Sequence, residues 1–82
     1  MITINEFEQW VLRHGYKKDK FGHWQKTTEI GAEYRWKLSR VMARHEIKVK
    51  HIDGSNEWVR ISSGYLKNLE IRPDDKIKGT IR

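Results

Sequence analysis

The chain contains no cysteine, which excludes a disulfide scaffold, a thiolate metal site and a cysteine nucleophile. No apolar run approaches the ~18 residues of a membrane span, and no signal-peptide pattern opens the sequence. The single proline, Pro73, stands beside Asp74 and Asp75, where a turn is the ordinary explanation for the paired carboxylates. Hydrophobic residues make up only 37%, and mean hydropathy is −0.87, so the core must be small.

Catalytic signatures are also missing. There is no H-E-x-x-H pair, no phosphate-binding loop and no dinucleotide fingerprint. Ser62 and Ser63 precede Gly64 but lack the G-x-S-x-G elbow of a nucleophilic serine. His45 and His51 share a strand face but lie about 20 Å apart if the strand is unbroken, too far to share a metal. The reading is therefore a non-enzymatic protein with no catalytic residues, no metal site and no cofactor.

What is present is charge and aromatic mass. In 82 residues there are 17 Lys and Arg against 11 Asp and Glu, a net charge of +6. The excess is spread evenly, +3 in each half, with no basic or acidic tail. A domain this basic carries the electrostatic footprint of a nucleic-acid binder, though solubility alone accounts for a similar charge in many small domains. Four Trp, three Tyr and two Phe supply large buried areas to compensate for the few aliphatic residues.

Thr3 and Glu6 form a T-x-x-E capping box, with Ile2 and Phe7 at the staple positions. Ile4, Phe7, Val11 and His14 follow helical spacing, Trp10 lies beside them, and Gly15 suits a helix stop. These predict a helix over 4–14, too short to stand alone and so docked on something. Tyr16 to Thr27 reads as a hairpin with its turn near Asp19–Gly22, or one strand after a loop. Its lysines, with His23, surround Phe21 and Trp24, and the plain expectation is a solvated tip with both aromatics packed inward.

Tyr34, Trp36 and Leu38 then alternate on one face. Val41, Ala43, His45, Ile47, Val49 and His51 alternate on the other parity, which requires a turn or bulge near Ser39–Arg40. Asp53 to Asn56 is a strong turn, and 58–62 a further strand with Val59 and Ile61 inside. Residues 69–72 and 76–81 flank Pro73 as a terminal hairpin. The expectation is a single cytoplasmic α+β domain over 1–82: one N-terminal helix packed on a mostly antiparallel, meander-like sheet of four to six strands.

One helix covers one sheet face and leaves the other to solvent or a partner. If the alternating apolar set faces the helix, the opposite pleat holds Arg35, Lys37, Met42, Arg44, Glu46, Lys48 and Lys50, joined by Trp58 and Arg60. Cations that neutralise phosphates, with an aromatic on which a base stacks, are the ingredients of a nucleic-acid platform. Arg35, Lys37, Arg44, Lys48, Lys50, Trp58 and Arg60 are the candidate binding residues. The other reading of the same set is an inhibitor or adaptor that docks on an acidic protein surface, with Trp58 and Arg60 as anchors. A homo-oligomer that buries the open face or pairs edge strands is a third.

The segments Tyr34–Leu38, Arg44–Glu46, Trp58–Leu69 and Lys76–Gly79 together give the chain a likeness to a protein group. It resembles small accessory proteins encoded by bacteriophages and prophages. The resemblance implies an accessory role, binding nucleic acid or inhibiting a host or defence protein, and assigns no catalytic residue.

Overall fold

The computed structural model describes residues 1–79. One α-helix, α1 (Ile4–Arg13), precedes a five-stranded antiparallel sheet: β1 (Lys17–Lys18), β2 (Trp24–Thr27), β3 (Glu33–Leu38), β4 (Met42–Lys50) and β5 (Asn56–Tyr65). The strands lie in sequence order, each paired with the next, so the sheet is a meander. A 3-10 turn over Leu66–Asn68 leads to a two-stranded hairpin, β6 (Glu70–Ile71) and β7 (Ile77–Lys78). This is the expected α+β architecture. The expected terminal strand ran on to Ile81; its last two residues lie outside the described residues. No helix among the described residues is long and apolar enough to cross a membrane.

The capping box forms as read. Thr3 N–H donates to Glu6 Oε1 at 3.0 Å, and Glu6 N–H donates to Thr3 Oγ1 at 3.1 Å. At the other end Gly15 takes φ +87°. Tyr16 N–H donates to the Val11 carbonyl and Gly15 N–H to that of Leu12, the Schellman arrangement that closes a helix.

Phe7, Trp10 and Val11 form the buried face of α1 and meet Tyr16, Trp24, Trp36, Ala43, Leu66 and Leu69 in the core. Trp36 is its hub. Its ring meets Phe7 edge-on at 4.9 Å and Trp10 at 6.1 Å, and His45 stacks on it at 4.3 Å with 5° between planes. Burial pushes the His45 imidazole below its ordinary pKa, which favours the neutral ring in this stack.

The core does not run the length of the sheet. Val49, Val59 and Ile61 were expected under the helix, yet each is exposed; Val41, expected there too, is exposed because it lies in the β3–β4 turn before β4 begins. Ten residues of helix span about 15 Å, whereas the nine residues of β4 span about 30 Å. The helix covers the end of the sheet around Trp36 and Ala43, and the far half of the β4–β5 hairpin projects beyond it. Ile61 has a second reason. The β4–β5 register passes from Glu46↔Arg60 to His45↔Ser62, so Ile61 is the extra residue of a bulge. The expectation for the first hairpin also needs correction: Trp24 is buried, but Phe21 projects into solvent.

The β6–β7 hairpin closes over the end of the helix. Trp10 Nε1 donates to the Asp75 carbonyl at 2.7 Å, while the Asp75 carboxylate meets Arg13 at 2.8 Å and His14 at 2.9 Å. Gly79, at φ +99°, passes so close to the Asn68 carbonyl that a Cβ would strike it. Gly79→Ala combines that clash with a left-handed backbone. It is expected to cost about 2 kcal/mol, lowering Tm by roughly 8–16 °C for a domain of this size. A thermal melt by circular dichroism reads this directly, and an unchanged Tm would refute the close approach.

Candidate functional site

Strand register decides which side chains share the face turned away from α1. Trp36 pairs with His45, and Leu38 with Ala43, on the helix side. Arg35↔Glu46 and Lys37↔Arg44 therefore lie on the opposite pleat. Across β4–β5, Glu46↔Arg60 and Lys48↔Trp58 extend the same face. A single rung crosses all five strands as Lys17, Gln25, Arg35, Glu46 and Arg60. The seven candidate residues thus occupy one surface, and the bulge at Ile61 comes after Arg60, so it does not disturb them.

The cations are not equivalent. Glu46 lies at the centre, only 3% exposed, with Arg35 Nε at 2.6 Å from one carboxylate oxygen and Arg44 Nε at 2.9 Å from the other. Burial pushes the Glu46 carboxyl up. The Arg35 hydrogen bond and the charges of Arg35, Arg44 and Lys37 outweigh this, leaving its pKa below the ordinary value. Arg35 is 15% exposed and lies over the Trp58 ring at 4.3 Å. Lys48 approaches the same ring at 5.8 Å and pairs with Glu33 at 3.3 Å. Arg60 donates to Ser63 Oγ at 3.1 Å. Among the described residues, Lys37 and Lys50 form no ion pair, and Arg44 keeps 49% of its side chain in solvent.

The face thus has a fixed centre and an exposed, charged rim. Arg35, Glu46 and Trp58 hold one another in place. Lys37, Arg44, Lys50 and Arg60 present charge outward. Counting Glu33 and Glu46 against the six candidate cations and Lys17 leaves a net +5 on this pleat. The sequence pattern placed Glu46 correctly on the polar pleat but gave it no role. The available signal was an acid standing alone among cations on both neighbouring strands.

The helix side offers less. Ser62 is the register partner of His45, whose Nε2 lies 3.3 Å from the Tyr16 hydroxyl. Both carboxylate oxygens of Asp75 are engaged by Arg13 and His14 rather than by His45. Among the described residues no three His, Asp or Glu side chains converge to hold a metal ion.

Comparison with protein-family profiles, curated proteins and solved structures gives no match to this chain. The functional reading rests on the geometry of the face.

Proposed function

We propose that this protein is a non-enzymatic binding module that grips the phosphate backbone of nucleic acid with the uncovered sheet face. The observation that carries the reading is the register. It gathers Arg35, Lys37, Arg44, Lys48, Lys50 and Arg60 on one pleat, opposite the face on which α1 packs. Along β4, Arg44, Lys48 and Lys50 span about 20 Å, the reach of roughly six phosphates of one strand. Each neutralised phosphate releases condensed counterions, and that release supplies the affinity. Glu46 and Trp58 hold Arg35 before any ligand arrives, which reduces the ordering cost of binding. Because Arg35 occupies one face of the Trp58 ring, base stacking falls to the other.

Fluorescence anisotropy with labelled single-stranded DNA, duplex DNA and RNA tests the reading. With Lys37, Arg44, Lys50 and Arg60 each meeting a phosphate, log K should fall against log salt with a slope of about −3 to −4. Affinity then drops about a hundredfold between ~50 and ~200 mM salt. Lys37→Gln combined with Lys50→Gln should reduce the slope by about 2 and leave stability within about 0.5 kcal/mol, since neither lysine is ion-paired among the described residues. Unchanged affinity in the double variant would remove this face. Absence of salt-sensitive binding to all three ligands would overturn the reading in favour of an acidic protein partner.

A further inference from the structure

The sheet ends in two unlike edges. β1 is two residues long, short enough to be inert, whereas β5 is ten residues long and, among the described residues, pairs only with β4. Its sequence contains no lysine and no proline, the usual devices against edge pairing. The Ile61 bulge blunts its second half. Asn56–Arg60 is left straight and unblunted, with Val59 exposed.

The hydrogen-bond phase of that stretch follows from the turn. His51 N–H donates to the Ser55 carbonyl, which makes 51↔55 a hydrogen-bonded pair. Such pairs alternate along an antiparallel ladder, so Glu57 and Val59 also bond inward to β4. The backbone groups of Asn56, Trp58 and Arg60 therefore point outward from the edge.

We infer that two copies of this chain pair antiparallel along β5, about a two-fold axis through Val59. In that register Trp58 faces the second copy's Arg60, and Arg60 faces its Trp58. Both are outward-directed positions, so the two pairs exchange four backbone hydrogen bonds. On the basic pleat, Arg60 of each copy meets the Trp58 ring of the other, a complementary cation–π contact made twice. On the other pleat Val59 packs on its own counterpart at the close Cα spacing, about 4.5 Å, of a non-hydrogen-bonded pair. The result is one ten-stranded sheet with two basic faces side by side. This pairing does not depend on the ligand proposed for the face: the dimer engages Arg60 and the free face of Trp58, so base stacking and the Arg60–phosphate contact belong to the monomer, and salt separates the two. Salt screens the repulsion between the basic faces and strengthens the dimer, whereas it weakens phosphate binding.

Sedimentation equilibrium at up to about 1 mM protein, the range suited to a small interface, tests the pairing. The unaltered chain should show a monomer–dimer equilibrium that tightens as salt rises. Val59→Glu and Val59→Lys each bring like charges together at the axis and should be monomeric. An equimolar mixture of the two should recover the dimer, because only this register sets residue 59 against itself. Amide exchange on the unaltered chain needs no variant: the Trp58 and Arg60 N–H groups should slow by about tenfold or more between dilute and concentrated samples. A wild-type chain monomeric throughout, dimers that survive both substitutions, or a mixture that stays monomeric would each overturn the proposal.

Discussion

Glu46→Ala is expected to cost about 3 kcal/mol of folding stability, since it leaves a largely buried guanidinium without its counter-charge. For a chain of this size that lowers Tm by roughly 12–24 °C. Arg35 cannot turn to water, because the Trp58 ring lies across it at 4.3 Å. Binding should move the other way. Without Glu46 the face gains one net positive charge, and Arg44 is released toward phosphate, so affinity for a polyanion should rise several-fold while stability falls. Opposite signs in one variant separate an electrostatic role from general damage. Acid gives a second check. The Glu46 carboxyl sits below its ordinary 4.5 in the folded chain, so its stabilisation is complete above that value. It is lost as pH falls through the lowered pKa. The gap in Tm between wild type and Glu46→Ala should therefore close in acid, and a gap that stayed constant would mean the carboxylate charge is not what stabilises.

Trp36→Ala is expected to cost about 4 kcal/mol, in the range for deleting a large buried aromatic. Total stability for 82 residues is on the order of 4–12 kcal/mol, so the variant would keep little of it. The loss is large because Trp36 connects otherwise separate parts. It joins Phe7 and Trp10 of α1 to Trp24 of β2 and His45 of β4. Trp36→Phe keeps an aromatic edge contact with Phe7 and should lose much less. Urea midpoints compare the three proteins, and a small shift for Trp36→Ala would show that the core closes without its hub.

Much of this architecture is written locally. The capping box at Thr3 and Glu6, the helix stop at Gly15 and the turn around Asp53 and Gly54, one residue earlier than the pattern placed it, each depend on neighbouring residues, and so can be read from them. The change of parity near Ser39–Arg40 is legible too, since two alternating runs out of phase demand a break; the structure supplies a hairpin turn. Parity also placed Trp58 and Arg60 with the basic pleat. What the pattern could not carry was reach. Val49 and Val59 alternate like core residues, but whether a helix lies over them depends on its length and position rather than on their own neighbours. The bulge at Ile61 and the burial of Glu46 are likewise set by the partner strand. A carboxylate among cations becomes a structural centre only when the strands on both sides bring arginines to it.

Asp75 has a consequence for the order in which this molecule can assemble. The helix is synthesised before the sheet, yet its last turn is secured by a residue more than sixty positions later, through the Trp10 indole, Arg13 and His14. Ten residues of helix are marginal in water on their own. The chain emerging from a ribosome therefore makes this helix without the groups that hold it. The meander can zip up strand by strand as it appears, since each strand pairs with its predecessor. Completion of the fold waits until residue 75 is free, so the helix, made before the sheet, is the last part to be locked.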